Sequence, residues 1–197
     1  MSAQCAAARF LVILCALGWA VSCSAAESFR GVDVTGQGYG GTYRLMGHDG
    51  KPRTPADFTG KVTVIAFGFT HCPDVCPTTL VALAAVVKSL GESDRKRVQV
   101  LFITVDPERD AAALLGRYVT AFDAGFLGLS GDAAATRQAA RAFKMFYQKV
   151  PAGKDNYTMD HSTGYYAIDK RGETRVLFRH EQPLADMVHD IRLLLAE

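Results

Sequence analysis

Residues 62–69 (VTVIAFGF) constrain this chain more than any other stretch, because nearly all eight side chains are apolar and the first four are β-branched. A strand points successive side chains to opposite faces, so a run without polar alternation has to be covered on both. Such a run predicts a central strand in a sheet with layers on either side. After a loop at 70–76, Pro77 opens a helical pattern that runs to Leu90 (PTTLVALAAVVKSL) and stops at Gly91. Residues 98–105 (VQVLFITV) predict a second buried strand. The three segments together form a strand-helix-strand unit.

Further along, residues 110–122 and 132–143 read as helices, each opening on an Asp suited to capping. A polar loop at 149–159 leads to a strand at 164–169, a turn at Lys170, Arg171 and Gly172, and a strand at 174–178. An amphipathic helix over 183–195 closes the chain. Residues 27 to about 60 are rich in Gly and turn chemistry, with a strand at 42–46 and a hairpin turn at 48–51. The order β-α-β-α-α-β-β-α predicts an α/β, thioredoxin-like fold with an N-terminal extension. A length of 197 residues suits one such domain, and a formal net charge of only +2 gives no nucleic-acid footprint.

The first 26 residues read as an export segment. Arg9 precedes the apolar run at 10–21, followed by the small residues Ser22, Cys23, Ser24, Ala25 and Ala26. That run is short for a membrane span, which needs about 20 apolar residues, although residues 6–8 would lengthen it. Two routes stay open: cleavage before Glu27, or a lipoprotein box at 20–23 in which Cys23 is lipidated. Cys5, Cys15 and Cys23 all lie in this segment, so the domain at 27–197 keeps only Cys72 and Cys76. Export places that pair in an oxidising compartment, where a free dithiol needs a reductant or a metal to persist.

The chemistry concentrates in Cys72-Pro73-Asp74-Val75-Cys76-Pro77, where a buried strand gives way to a helix. Pro77 disfavours helical geometry at Cys76, which predicts Cys76 at the N-cap, Pro77 at the first helical position, and a Cys76 thiol made more acidic by free N–H groups. A plain disulfide over so short a ring would add only about 2 kcal/mol, so a functional dithiol is the better reading. Thioredoxin-type redox motifs place two residues between the cysteines; here there are three. Two thiolates suit Cu(I), or Cu(II) with a nitrogen added, and that requires a third ligand.

His161 is the candidate third ligand. It stands just before the strand at 164, and if that strand runs antiparallel beside the first, the imidazole comes over the cysteines. His71 beside Cys72, Met159 as a thioether, and Asp160 as a partner orienting His161 are weaker candidates. Asp74 reads as a turn residue, His48 as an exposed one, and His180 and His189 as solvated or satisfied. The segment 105–110 (VDPERD) reads as a capped turn or as a rim around the site.

Taken together, the segments FGFTHCPDVCP (67–77), VDPERD (105–110), Asp160-His161-Ser162 and Tyr166 resemble the Sco/SenC family of copper proteins, the group that includes PrrC. The resemblance spans about 43–195 in the family's order. It implies a thioredoxin-like domain held outside the cytoplasmic membrane, on the periplasmic face of a bacterial inner membrane, with copper on Cys72, Cys76 and His161. It also implies a role in building the binuclear copper centre of cytochrome c oxidase subunit II, by copper delivery, by reduction of that subunit's cysteines, or by both. The partners implied are subunit II and a periplasmic thiol reductant or copper donor. A thiol-disulfide reductase using the redox-active pair Cys72 and Cys76, or a copper or redox sensor, remains the alternative.

Overall fold

The computed structural model describes residues 27–197, so the export segment and Cys23 lie outside the described residues. The two strands expected from the apolar runs are β4 (Val62–Gly68) and β5 (Val98–Thr104). They pair in parallel from Val62 opposite Val98 to Gly68 opposite Thr104. Every residue of β4 is buried, as its unbroken apolar run requires. Between them runs α1 (Val75–Ser89), the crossover that a parallel pair needs.

An eight-stranded sheet grows outward from this pair. On one side, β9 (Tyr165–Ile168) lies antiparallel to β4, followed by β10 (Thr174–Phe178) and the short β1 (Val32–Asp33). The other side adds β6 (Leu127–Ser130), parallel to β5, and then β2 (Leu45–Gly47) and β3 (Pro52–Arg53). Helix α5 (Leu184–Ala196) packs against α1, and α3 (Ala112–Thr120) against β6. The other helices are α2 (Glu92–Arg95) and α4 (Ala133–Ala142), the latter capped as expected by Asp132, which accepts the Ala134 and Ala135 N–H groups. The expected thioredoxin-like fold is the fold observed.

Three local expectations change. The strand β6, absent from the predicted order, occupies only four residues, too few to show a period. Helix α3 starts at Ala112, and Asp110 caps nothing; it is buried beneath the cysteine loop. The segment expected as a polar loop at 149–159 is largely a hairpin of β7 (Tyr147–Pro151) and β8 (Tyr157–His161), a two-stranded sheet apart from the main one. In β8 only Met159 is buried, Tyr157 and His161 are half-buried, and Thr158 and Asp160 are exposed. This period of two had been hidden by the polar residues at its outward positions.

Candidate metal centre

The site begins where β4 ends. The Val105 N–H donates to the Gly68 carbonyl at 2.8 Å, and Phe69 is 2% exposed. Below the loop lies the carboxylate of Asp110. It accepts the Thr70 N–H at 3.0 Å, the Thr70 hydroxyl at 2.6 Å and the Thr104 hydroxyl at 2.5 Å. A buried carboxylate persists only when bonded in this way, so the bonds pin the root of the loop to the end of β5. From there the Cys72 N–H donates back to the Phe69 carbonyl at 3.2 Å.

Helix α1 starts two residues earlier than the position of Pro77 suggested. Asp74 occupies the cap position without a side-chain cap, and Cys76 and Pro77 are the second and third helical residues. Proline fits there because first-turn N–H groups have no intrahelical partner. The Cys76 N–H is instead directed at Cys72 Sγ, 3.4 Å away. The expected acidic thiol therefore belongs to Cys72 rather than Cys76. Hydrogen bonding from the Cys76 thiol, then from the Cys76 and Asp74 backbone, holds the Cys72 pKa well below the thiol range, against the opposing cost of partial burial. The same thiol-to-thiolate bond, reinforced by burial and the charges of Cys72 and Asp110, pushes Cys76 up. Cys76 is 3% exposed, and its sulfur fills the space beside Gly68, where an added Cβ would stand 2.7 Å from Sγ.

His161 reaches the pair from the end of β8. Its Nε2 lies 3.6 Å from Cys76 Sγ, and its Nδ1 lies 2.8 Å from the Ser162 carbonyl oxygen. A carbonyl only accepts, which assigns the proton to Nδ1 and leaves the Nε2 lone pair facing the sulfur. The Phe69 ring meets the imidazole edge-on at 6.0 Å. Cys72, Pro73, Val75, Met159, His161 and Thr163 help to wall a cleft of about 220 Å³ around these groups. Among the described residues, no three His, Cys, Asp or Glu side chains already stand closed around one point as an ion would need. The donor set is nonetheless suitable in chemistry: two sulfurs, one already favouring thiolate, and one neutral imidazole nitrogen make a soft site.

The weaker candidates separate. The Nδ1 atom of His71 lies 3.1 Å from the Thr70 hydroxyl and 3.7 Å from Asp110, on an exposed ring. Met159 is packing, 8% exposed within the core. Asp160 is exposed, and the Ser162 carbonyl, rather than Asp160, orients His161. His48 is no free turn residue, since its Nδ1 accepts the Gly128 N–H at 3.0 Å. His189 is satisfied by Asp190 at 2.9 Å. The sequence places Arg109 only within a segment read as a capped turn or a rim and gives Tyr157 no role; their contact at the edge of the site joins segments 48 residues apart.

Comparison with known proteins identifies relatives in sequence and in fold. The mouse mitochondrial protein SCO2 homolog is 39% identical over 158 residues, 79% of this chain. This chain spans 62% of that relative's length, and about half of several other curated relatives it matches. Among solved structures, Bradyrhizobium japonicum ScoI with copper bound is 37% identical, with a TM-score of 0.73 over 78% of this chain and 98% of that one. The apo Sco1 protein from Thermus thermophilus, solved in solution, is 38% identical, with a TM-score of 0.77 over 86% and 99%. The family model described as SCO1/SenC matches residues 33–196, nearly the whole described domain, and the chain belongs to that family.

Proposed function

We propose that this protein binds copper through Cys72, Cys76 and His161 and acts in the assembly of cytochrome c oxidase, at the binuclear copper centre of subunit II. The observation that carries this reading is the His161 imidazole, with its protonated nitrogen committed to Ser162 and its free lone pair 3.6 Å from Cys76 Sγ. A purely redox dithiol requires only that the two sulfurs approach, whereas a copper site requires that nitrogen as a third ligand. Copper is cargo here, so an open cleft is an advantage, because a partner's ligands can replace the protein's one at a time. Ligands must be deprotonated to bind, and Cys72 already favours that form. The test is a copper titration of the reduced mature protein. One copper per chain is expected, with strong binding lost in Cys72→Ser, and unchanged stoichiometry and affinity in that variant would refute the assignment.

A second reading is favoured by the asymmetry of the two sulfurs. The Cys72 thiolate, partly exposed, can attack a disulfide of subunit II and form a mixed disulfide; buried Cys76 then displaces it. The products are two thiols on the partner and a Cys72–Cys76 disulfide, which a periplasmic thiol reductant must reopen. Among the described residues no helix is long and apolar enough to cross a membrane, so the membrane tie we propose rests on residues 1–26, through lipidated Cys23 or a retained segment. Mass spectrometry of the mature N-terminus tests it, and a product beginning at Glu27 would exclude both routes.

A further inference from the structure

Arg109 stands between the cysteine loop and the hairpin that carries His161. A two-stranded hairpin is marginal in water by itself, so β7 and β8 need external anchors to hold one position. At the base of the hairpin, beside His161, the two arms are joined to each other by the Ser162 N–H donating to the Phe146 carbonyl at 3.0 Å and the Phe146 N–H to the Ser162 hydroxyl at 3.1 Å, and from there the chain runs on into β9. The hairpin's far end is fastened by Arg109. Nη1 of Arg109 donates to the Tyr157 carbonyl at 2.8 Å, and the guanidinium lies 3.7 Å from the centre of the Tyr157 ring. The Tyr157 hydroxyl donates to Asp106 Oδ1 at 2.8 Å, and Arg109 Nε donates to Oδ2 of the same carboxylate.

These contacts bear on the site in two ways. Tyr157, Met159 and His161 share the inward face of β8, so the Tyr157 end sets the tilt of the strand that carries the imidazole. The Arg109 guanidinium also lies 5.9 Å from the Phe69 ring, which meets His161 edge-on from its other contact. Asp106 is 2% exposed, so its charge depends on Arg109 as partner. Nη2 of Arg109 is buried without a hydrogen-bond partner, as suits a guanidinium held flat by aromatic stacking rather than by a complete set of hydrogen bonds.

We propose that Arg109, with Asp106 and Tyr157, latches the hairpin so that His161 faces Cys76, which makes Arg109 a positioning residue for the third ligand. This role rests on the reading of the cleft as a metal centre. With the latch released, the hairpin pivots on its base, and the imidazole turns away from the sulfur. Metal then leaves faster, although none of the latch residues touches it.

The informative variant is Arg109→Lys, which keeps a positive charge beside Asp106 but lacks the fork and the flat face. Tyr157→Leu, which removes the stack on Arg109 and the hydroxyl bond to Asp106 but leaves the bond between Arg109 and Asp106 itself, is the second variant. Two measurements apply to each. In the reduced, metal-free protein, NMR contacts between the His161 and Phe69 rings report the imidazole position. In the copper-loaded protein, transfer to a competing chelator reports the release rate. Both variants should lose the ring contacts and release copper about tenfold to a hundredfold faster, the usual effect of removing a group that orients a metal ligand. Retained ring contacts, or lost contacts with an unaltered release rate, would overturn the role of Arg109. If the wild-type protein binds no copper, the metal-centre reading falls by itself, and the metal-free ring contacts alone decide whether Arg109 positions His161.

Discussion

The two halves of the site sit on parts of the molecule held together by different forces. Cys72 and Cys76 follow β4, whose seven residues are all buried and paired with β5, with Thr63–Ala66 paired with β9 as well. His161 ends β8, a strand paired only with β7 and having a single buried residue, Met159. Apolar burial holds the first region, at roughly 25 cal/mol per Å² of area removed from water, and it does not depend on any one contact. The second is placed by a few hydrogen bonds and a stacked guanidinium. The dithiol is therefore preorganised, while the imidazole depends on contacts that a local change can release. In the reading proposed above, thiol chemistry needs only the first region, and metal binding needs both.

His161→Ala breaks this comparison most sharply. The variant should fold normally and still form the Cys72–Cys76 disulfide, since neither β4 nor α1 depends on the hairpin. It should lose Cu(II) binding outright, bind Cu(I) more weakly, and fail to support oxidase assembly. Copper affinity, thiol redox potential and oxidase rescue, measured side by side, check the division. Full rescue without copper binding would transfer the function to the dithiol alone.

A smaller effect separates the sulfurs inside the rigid region. Because the fold lowers the Cys72 pKa, its thiolate form stabilises the native state; that contribution is complete above the ordinary thiol pKa and is lost as pH falls through the lowered one. An ordinary thiol, with a pKa of about 8.5, loses alkylation rate about tenfold per pH unit below that value. Alkylation of Cys72 in the reduced protein should change less than about twofold between roughly pH 6 and 8. Buried Cys76 should remain unlabelled until denaturant is added. A steep, ordinary profile at Cys72 would show that the thiolate is not held by Cys76 and the helix start.

Gly68→Ala probes the packing beneath. The new Cβ would stand 2.7 Å from Cys76 Sγ and 2.7 Å from Phe102 Cζ, in a buried strand paired there with β5. Overpacking of this kind should cost about 1–3 kcal/mol in a denaturant titration while leaving the Phe69–His161 ring contacts in place. Loss of those contacts as well would mean that the two regions are mechanically one.

Much of this division was legible in the sequence. The unbroken run at 62–69 required a strand covered on both faces, and the Cys-x-x-x-Cys spacing with a distant His named the three side chains that the fold brings into one cleft. What was not legible depends on contacts between distant segments. The sequence predicts a loop where the hairpin lies because Gln148, Lys149, Thr158 and Asp160 are exposed, and their polarity masks a β8 that buries only Met159. It predicts the acidic thiol at Cys76 rather than Cys72 because a two-residue shift in the helix start decides which sulfur receives the Cys76 N–H.

By itself, then, the sequence determined the two central strands with their crossover helix and singled out the candidate site residues, because hydrophobic burial and local turn chemistry leave marks along the chain. Only the tertiary structure decided which sulfur is the thiolate, which nitrogen of His161 is free, and that Arg109 holds Tyr157. Each is a hydrogen bond or a stack whose partners meet after folding, from as far as 85 residues apart, and no period in the chain records where they will meet.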